Sequence, residues 1–223
     1  FFTVIDDPTL EEFNGKSIFG CYKFDNEGIP AQRVELIKNG VLKNYLLSRT
    51  PIKGFNKSNG HGRGDGFSYY SDPVGRMAVL IIESDKEFTY NELKKRLIEE
   101  CRKQGKEYGF IIKKAAGGET YTQRRGMQVF KESPVLVYTV DVNTGEEKLV
   151  RGVEVVGTPL SSINKIIASS DKYEVLNSYC GAESGVIPVS TIAPWVLTSE
   201  VELQKSSVRK TKPPILPEPL FDK

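Results

Sequence analysis

The sequence is poor in the residues on which most catalytic and metal-binding motifs depend. It has one histidine, His61, and three widely separated cysteines, Cys21, Cys101 and Cys180. No Cys-x-x-C pair occurs, which argues against a zinc ribbon and gives no support to a disulfide framework. A Ser–His–Asp site has only His61 to draw on, and no serine lies in a nucleophile-elbow motif. Gly117-Gly118 lacks the Lys-Ser/Thr ending of a phosphate-binding loop, so nucleotide binding is not expected.

The sequence also lacks a strong charge bias and a long apolar run. Its 31 basic and 29 acidic residues are interspersed and leave a net charge of +2. This argues against nucleic acid as a partner, because a binder shows a clustered basic face. The most basic stretch, Lys205 to Lys212, is interpreted as part of an extended Pro-rich tail at 205–223. No run approaches the roughly 20 apolar residues that a membrane helix needs, so no membrane partner is expected.

The clearest structural signal that is present is a β-hairpin within residues 25–49. Two β-like apolar runs meet at Asn39-Gly40, a pair typical of a type I′ turn because both central residues must adopt positive φ. The acidic residues Asp25 and Glu27 precede Gly28 and are expected to cap a turn rather than to catalyse.

One helix is predicted with equal clarity. Thr89 is a suitable N-cap and Glu92 follows three residues later, which is the spacing of a capping box. Four apolar residues then share one helical face, and Gly105 is expected to end the helix. The four are Leu93, Leu97, Ile98 and Cys101.

The rest of the chain is predicted to be rich in strands. Strands are expected at 16–24, 77–83, 110–113 and 186–203, a second hairpin at 135–142 and 147–156, and a short helix from Ser161 or Ser162. Residues 51–73 are predicted to be a long Gly-rich loop. The predicted fold class is therefore α+β, predominantly antiparallel β in barrel-like or strongly curved sheets, with one or two helices. Residues 1–204 are expected to form one domain.

Several short elements, taken in order, resemble the TldD/PmbA family of zinc metallopeptidases, once described as modulators of DNA gyrase. No single element is diagnostic, but together they cover roughly residues 3 to 204. They are Val4 to Thr9, Asp25 to Gly28, Gln32-Arg33, Leu36 to Leu46, Ser58 to Arg63, Pro73 to Met77, Gly117-Gly118, Arg151 to Val153, Val156 to Pro159, Tyr179 to Gly181 and Gly185 to Val189. The chain departs from the family pattern at Val186, where glutamine is usual, and after Met77, where a polar pair is usual.

The resemblance implies a role for Cys180. The matching family cysteine is the third zinc ligand, beside two histidines of a His-Glu-x-x-x-His helix. A chain with one histidine cannot contain that helix, so this chain is expected to be the C-terminal domain of a longer parent. It is predicted to hold no catalytic residue and no stoichiometric zinc by itself, with zinc bound in the parent. From the residues alone, Cys180 is interpreted as a free cysteine buried at a strand end, and only the resemblance favours a zinc ligand.

Other polar residues are candidates for a functional site. Asn59, Gly60 and Arg63 are predicted to contact substrate or a partner, because an arginine can pair with a peptide carboxylate or carbonyl; a polar mobile loop is the alternative. His61 is expected to be an exposed loop residue and is not assigned as a ligand. Asp6-Asp7-Pro8 is interpreted as a turn or an N-cap.

Two functions follow from the resemblance. The first is a peptidase domain that acts on small or unfolded peptides, bound as an added β-strand, in a homodimer or a heterodimer with a family member. The alternative is a structural or assembly domain of a non-catalytic partner subunit; the presence of Cys180 favours the catalytic branch. Direct DNA binding is disfavoured by the interspersed charge. The compartment stays open, with the cytoplasm as the family default and an exported parent as the alternative.

Overall fold

The computed structural model describes residues 1–66, 72–121 and 129–206. The chain divides into two compact units: one contains Phe1–Arg96 and Ile166–Leu197, the other Leu97–Lys165 and the residues from Thr198 onward. Residues 207–223 of the predicted tail at 205–223 lie outside the described residues, as do residues 67–71 of the predicted loop at 51–73.

Within the described residues the chain forms sixteen strands and two helices. In chain order they are β1 Phe2–Asp6, β2 Glu12–Phe13, β3 Lys16–Ser17, β4 Val34–Lys38, β5 Val41–Leu42, β6 Gly62–Arg63, β7 Val74–Gly75, β8 Val79–Ser84, β9 Glu87–Phe88, α1 Tyr90–Lys103, β10 Tyr108–Tyr121, β11 Val129–Asp141, β12 Glu147–Val150, β13 Val153–Gly157, α2 Pro159–Asn164, β14 Ile166–Ala182, β15 Gly185–Thr198 and β16 Glu202–Lys205. The predicted α+β class with mainly antiparallel strands is confirmed. No described helix has the length and apolar content to cross a membrane.

The first unit is built on a seven-stranded sheet with the order β5-β4-β1-β8-β15-β14-β9. β1 lies between β4 and β8 and is antiparallel to both. β15 is parallel to β8, and β14 is parallel to β9. The core beside the sheet contains Ile18, Val79 and Ile192, all of them buried. The predicted buried strand at 77–83 is observed as β8.

The Asn39-Gly40 hairpin is confirmed as β4 and β5. Asn39 and Gly40 have φ values of 49° and 80°, as a type I′ turn requires, and Lys38 pairs with Val41 across it. The second strand is shorter than predicted, because the N–H groups of Lys43 and Asn44 both turn back to the Leu36 carbonyl.

The predicted strand at 16–24 is wrong beyond Ser17. The N–H groups of Phe19 and Gly20 donate to the Ser190 hydroxyl at 2.9 and 3.0 Å. Because a side chain takes these two donors, they cannot join a strand ladder.

One carboxylate connects the start of β8 with the end of β1. Asp6 is fully buried, and its oxygens accept the N–H groups of Ala78 (2.9 Å) and Val79 (3.0 Å). The Nε2 atom of His61 lies 3.3 Å from Oδ1 of the same carboxylate. The expected turn or N-cap at this position belongs instead to Asp7, whose side chain accepts the N–H of Thr9. Asp6 thus fixes the start of β8 beside the end of β1, and it fixes the position of the loop that carries His61.

The helix α1 begins and ends where the sequence predicts. Thr89 donates through its N–H and its hydroxyl to the Glu92 carboxylate, at 2.8 and 2.7 Å. The N–H of Lys106 closes the other end on the Cys101 carbonyl. In the second unit, Leu97 and Cys101 pack where β10 has Gly109: a Cβ there would lie 2.9 Å from Leu97 and 3.0 Å from the Cys101 sulfur.

The sheet of the second unit has the order β10-β11-β13-β16, and β12 also pairs with β11. The predicted hairpin around Asn143-Thr144-Gly145 is confirmed by β11 and β12. Its second strand is divided at Arg151-Gly152, and the following strand, β13, pairs with the other half of β11. The short helix α2 has its N-cap at Thr158 rather than at Ser161 or Ser162, because Pro159 suits the first helical position.

Replacing Asp6 by alanine should lower the free energy of unfolding by about 2–6 kcal/mol, since it leaves the two buried N–H donors of Ala78 and Val79 without an acceptor. Asp6→Asn keeps one acceptor oxygen and should lose less. Urea unfolding of the chain measures both. The control is Asp7→Ala, which removes a turn cap one residue away; an Asp6→Ala loss no larger than the control's would contradict the role of Asp6.

Stability should also depend on pH through Glu92. Hydrogen bonds from the Thr89 hydroxyl and N–H lower the pKa of the Glu92 carboxyl. This stabilisation is therefore present above the unfolded-state pKa of about 4.3 and is lost as the pH falls through the folded-state pKa. Glu92→Gln should be less stable than the wild type at neutral pH, with the difference shrinking in acid. Unfolding at a series of pH values tests this, with the exposed Glu99→Gln as control.

Candidate functional site

The hairpin of β14 and β15 carries Cys180 close to its turn. β14 ends at Ala182 and β15 begins at Gly185, so Cys180 lies two residues before the end of its strand. Its side chain is half-buried. No partner in the described part of the chain donates a hydrogen bond to its sulfur. In this position the sulfur can act as a ligand to another group.

Cys180 fits zinc as one ligand of a larger set. A thiolate is a short, strong zinc ligand, but a zinc site needs at least three protein donors. Among residues 1–66, 72–121 and 129–206, no three His, Cys, Asp or Glu side chains are grouped closely enough to hold a metal. A zinc site that included Cys180 would therefore need at least one ligand from outside the described residues.

The turn that follows Cys180 is held by a buried arginine. Arg76 is 6% exposed and lies directly after β7. Its Nη2 donates to the Cys180 carbonyl at 2.5 Å, and its Nη1 donates to the Gly185 carbonyl at 2.7 Å. Nη1 also contacts the Ser184 hydroxyl at 3.1 Å. One guanidinium thus spans the turn from strand to strand.

Ser184 and Gly185 pack this turn against residues 63–65. Ser184 is fully buried, and its hydroxyl donates to the Arg63 carbonyl at 2.7 Å, while its own carbonyl accepts the N–H of Asp65. Gly185 has φ +92°, and a Cβ there would lie 1.9 Å from Oδ2 of Asp65. Only glycine therefore allows the turn to approach the 63–65 segment this closely.

Arg63 is an internal residue, in contrast to the exposed position expected of a substrate contact. It is 5% exposed, donates to the Met77 carbonyl at 2.8 Å and lies over the Tyr22 ring at 5.0 Å. Burial, together with the nearby Arg76, lowers the pKa of Arg63, while Tyr22 and Asp6 act in the opposite direction. Burial raises the pKa of Tyr22. The bond from Ser184 to the Arg63 carbonyl thus brings Arg63 to the turn after Cys180, although more than a hundred residues separate them in the sequence.

Asn59 and Gly60 close the base of the loop that precedes Arg63. The Asn59 side chain accepts the N–H of Leu47 and donates to the Tyr45 carbonyl, both at 2.8 Å. The Gly60 carbonyl accepts the Tyr22 hydroxyl at 2.8 Å. These groups are already engaged inside the domain, so substrate contact by Asn59, Gly60 or Arg63 stays a prediction.

The expectation that His61 is an exposed loop residue is wrong. Its side chain is fully buried, with Nε2 facing Asp6 and Nδ1 3.0 Å from the Asn59 carbonyl. The glycines on either side admit the backbone to the interior, but a lone histidine among polar residues gives no sequence signal for burial. Asp25 does cap a turn as expected: its oxygens accept the N–H groups of Glu27, Ile29 and Gly62.

Two residues of the site were missed from the sequence. Arg76 belongs to the Pro73–Met77 element of the resemblance but received no role, and Ser184 lies in a stretch without a motif. Their importance depends on contacts with residues about a hundred positions away, which a single sequence does not reveal.

Comparison with known proteins gives a consistent result. A family model described as the PmbA/TldA metallopeptidase C-terminal domain matches residues 1–205. A metalloprotease from Archaeoglobus fulgidus is 31% identical over 196 residues, which are 87% of this chain and 40% of that protein. A metalloprotease from Methanocaldococcus jannaschii is 29% identical over 190 residues, which are 85% of this chain and 37% of that protein. The chain thus spans about two fifths of the length of the curated relatives it matches.

A solved structure shares the fold. A protein from Thermotoga maritima, described as a proposed modulator of a DNA gyrase, superimposes with a TM-score of 0.60. It is 20% identical, and the match covers 91% of this chain and 39% of that one. At this identity the likeness concerns the fold alone.

Replacing Asn59 by alanine should lower the free energy of unfolding by about 1–3 kcal/mol, because the Leu47 N–H and the Tyr45 carbonyl both lose their partner. The matched control is Asn56→Ala, in the exposed part of the same loop, which should change stability little. Urea unfolding of both variants tests this. If Asn59→Ala is as stable as the control, Asn59 does not close the loop and its role lies elsewhere.

Proposed function

Because this chain belongs to the PmbA/TldA metallopeptidase C-terminal domain family, we propose that it is the C-terminal domain of a zinc-dependent peptidase. It supplies Cys180 as one zinc ligand and forms part of a chamber for small or unfolded peptides. The His-Glu-x-x-x-His helix that supplies the other ligands lies outside these 223 residues. The carrying observation is the half-buried Cys180 thiol beside a turn that Arg76 and Ser184 hold.

Each part of this proposal has support from the chain itself. A thiolate suits zinc, and a bound zinc supplies Lewis-acid activation of a water for peptide hydrolysis. The described strands leave open edges at β5 and β9, and an open edge accepts an extended peptide through main-chain hydrogen bonds. The residues of this chain thus position a donor and offer strand edges, while the remaining ligands and the general base come from elsewhere.

A second candidate is an assembly domain of a non-catalytic partner subunit. Large apolar side chains are exposed near the β14–β15 turn: Leu176 is 63% exposed, Tyr179 68% and Val186 57%. Exposed large apolar side chains are a feature of interaction surfaces, so they support a homodimer or heterodimer under either candidate. The peptidase needs Cys180 as a zinc ligand, whereas the assembly domain does not need it.

Replacing Cys180 by alanine in the full-length parent should remove its zinc and abolish peptidase activity. Loss of a group that only orients a ligand already costs about 10–100-fold in metal affinity or activity, and loss of a ligand should cost more. Zinc content after dialysis and cleavage of an unfolded peptide are measured together. Cys21→Ala is the control, since Cys21 donates to the Ile18 carbonyl inside the domain.

The outcomes separate the two candidates. Loss of both zinc and activity supports the peptidase. A parent that holds no zinc, cleaves no peptide and is unchanged by Cys180→Ala supports the assembly domain. Zinc and activity that persist in Cys180→Ala would show that Cys180 is not a ligand.

A further inference from the structure

The guanidinium of Arg76 makes an unusual set of contacts for a buried charge. Its partners are the carbonyls of Cys180 and Gly185 and the hydroxyl of Ser184, all within one turn. No carboxylate in the described ranges forms an ion pair with it. A buried arginine without a counterion pays a desolvation cost, so its hydrogen bonds must be good in number and in geometry.

The backbone of Arg76 is also held in place. Its N–H donates to the His61 carbonyl at 3.0 Å, next to the β6–β7 ribbon, in which Gly62 pairs with Gly75. His61 in turn contacts the buried Asp6. The start of the arginine side chain is therefore fixed by the core of the unit, and its planar end is fixed by the turn.

The contacts act on the backbone on both sides of the turn. The Cys180 carbonyl belongs to β14 and the Gly185 carbonyl to the start of β15, so one rigid group sets their separation. The direction in which the Cys180 side chain leaves the backbone is set by that same peptide geometry. A guanidinium suits this task better than an ammonium, because its donors have a fixed planar arrangement.

We propose that Arg76 is a positioning residue for the Cys180 thiol: it holds the turn 180–185 in the conformation in which the thiol can ligate a metal. This rests on the proposed function, since it assumes that Cys180 is a ligand. Ser184 supports the same conformation by joining the turn to Arg76 and to the Arg63 carbonyl. Neither residue touches substrate or metal; both act through Cys180.

The test uses the full-length parent with Arg76→Ala, Arg76→Lys and Ser184→Ala, each loaded with zinc or cobalt. Zinc affinity, measured by competition with a chelator, should fall about 10–100-fold in Arg76→Ala, as it does when outer groups that orient a ligand are lost. Arg76→Lys and Ser184→Ala each keep part of the contacts and should lose less. The thiolate-to-cobalt charge-transfer band should shift or weaken in the same order, which a general loss of stability does not produce.

The control for a general loss of stability is Ile192→Ala, which opens a cavity in the buried core and destabilises the fold but should leave the cobalt band unchanged. Should Arg76→Ala fail to fold, Arg76→Lys and Ser184→Ala carry the test. The proposal is wrong if the Arg76 and Ser184 variants all keep the wild-type zinc affinity and cobalt spectrum. It is also wrong if Ile192→Ala changes the zinc affinity and the cobalt spectrum as much as the Arg76 variants do. Cys180→Ala is measured alongside: if it keeps its zinc, the proposed ligand has failed, not the positioning role alone.

Discussion

The first unit depends on the buried carboxylate of Asp6. It accepts two N–H groups at the start of β8 and faces the His61 ring. A carboxyl group that is removed from solvent is tolerated only when its oxygens accept hydrogen bonds. Because Ala78 follows Arg76 by two residues, and His61 precedes Arg63 by two, the position of Asp6 sets the position of both arginines. Through the two arginines, the contacts of Asp6 at the centre of the sheet influence the turn beside Cys180.

Around Cys180, the described residues form a network of hydrogen bonds to backbone oxygens. Arg76 bonds the carbonyls of its turn and Arg63 the Met77 carbonyl. Such a network is directional, since each bond needs its own geometry, and it makes the turn rigid. Rigidity would suit the ligand role proposed for Cys180, because an ordered group loses less entropy on binding.

The elements that were predicted correctly have signals within a few residues. The type I′ hairpin depends on Asn39-Gly40, the helix α1 on Thr89 and Glu92, and β8 on a continuous apolar run. The elements that were missed depend on distant partners. β14 includes Asp171, Lys172 and Glu174, which lower its strand propensity, yet it forms because it lies between β15 and β9. Residues 19–20 fail to form a strand because Ser190 takes their donors.

By itself, the sequence determined the fold class, the main local elements and, through short motifs taken in order, the family, because these depend on local patterns and on their order along the chain. Only the tertiary structure decided that His61 and Arg63 are buried, that Asn59 closes a loop, and that Arg76 and Ser184 hold the turn of Cys180. The physical reason is that burial and hydrogen bonding of a polar side chain are settled by the groups that surround it. Here those groups come from segments up to about a hundred residues away, such as Arg76 and Cys180.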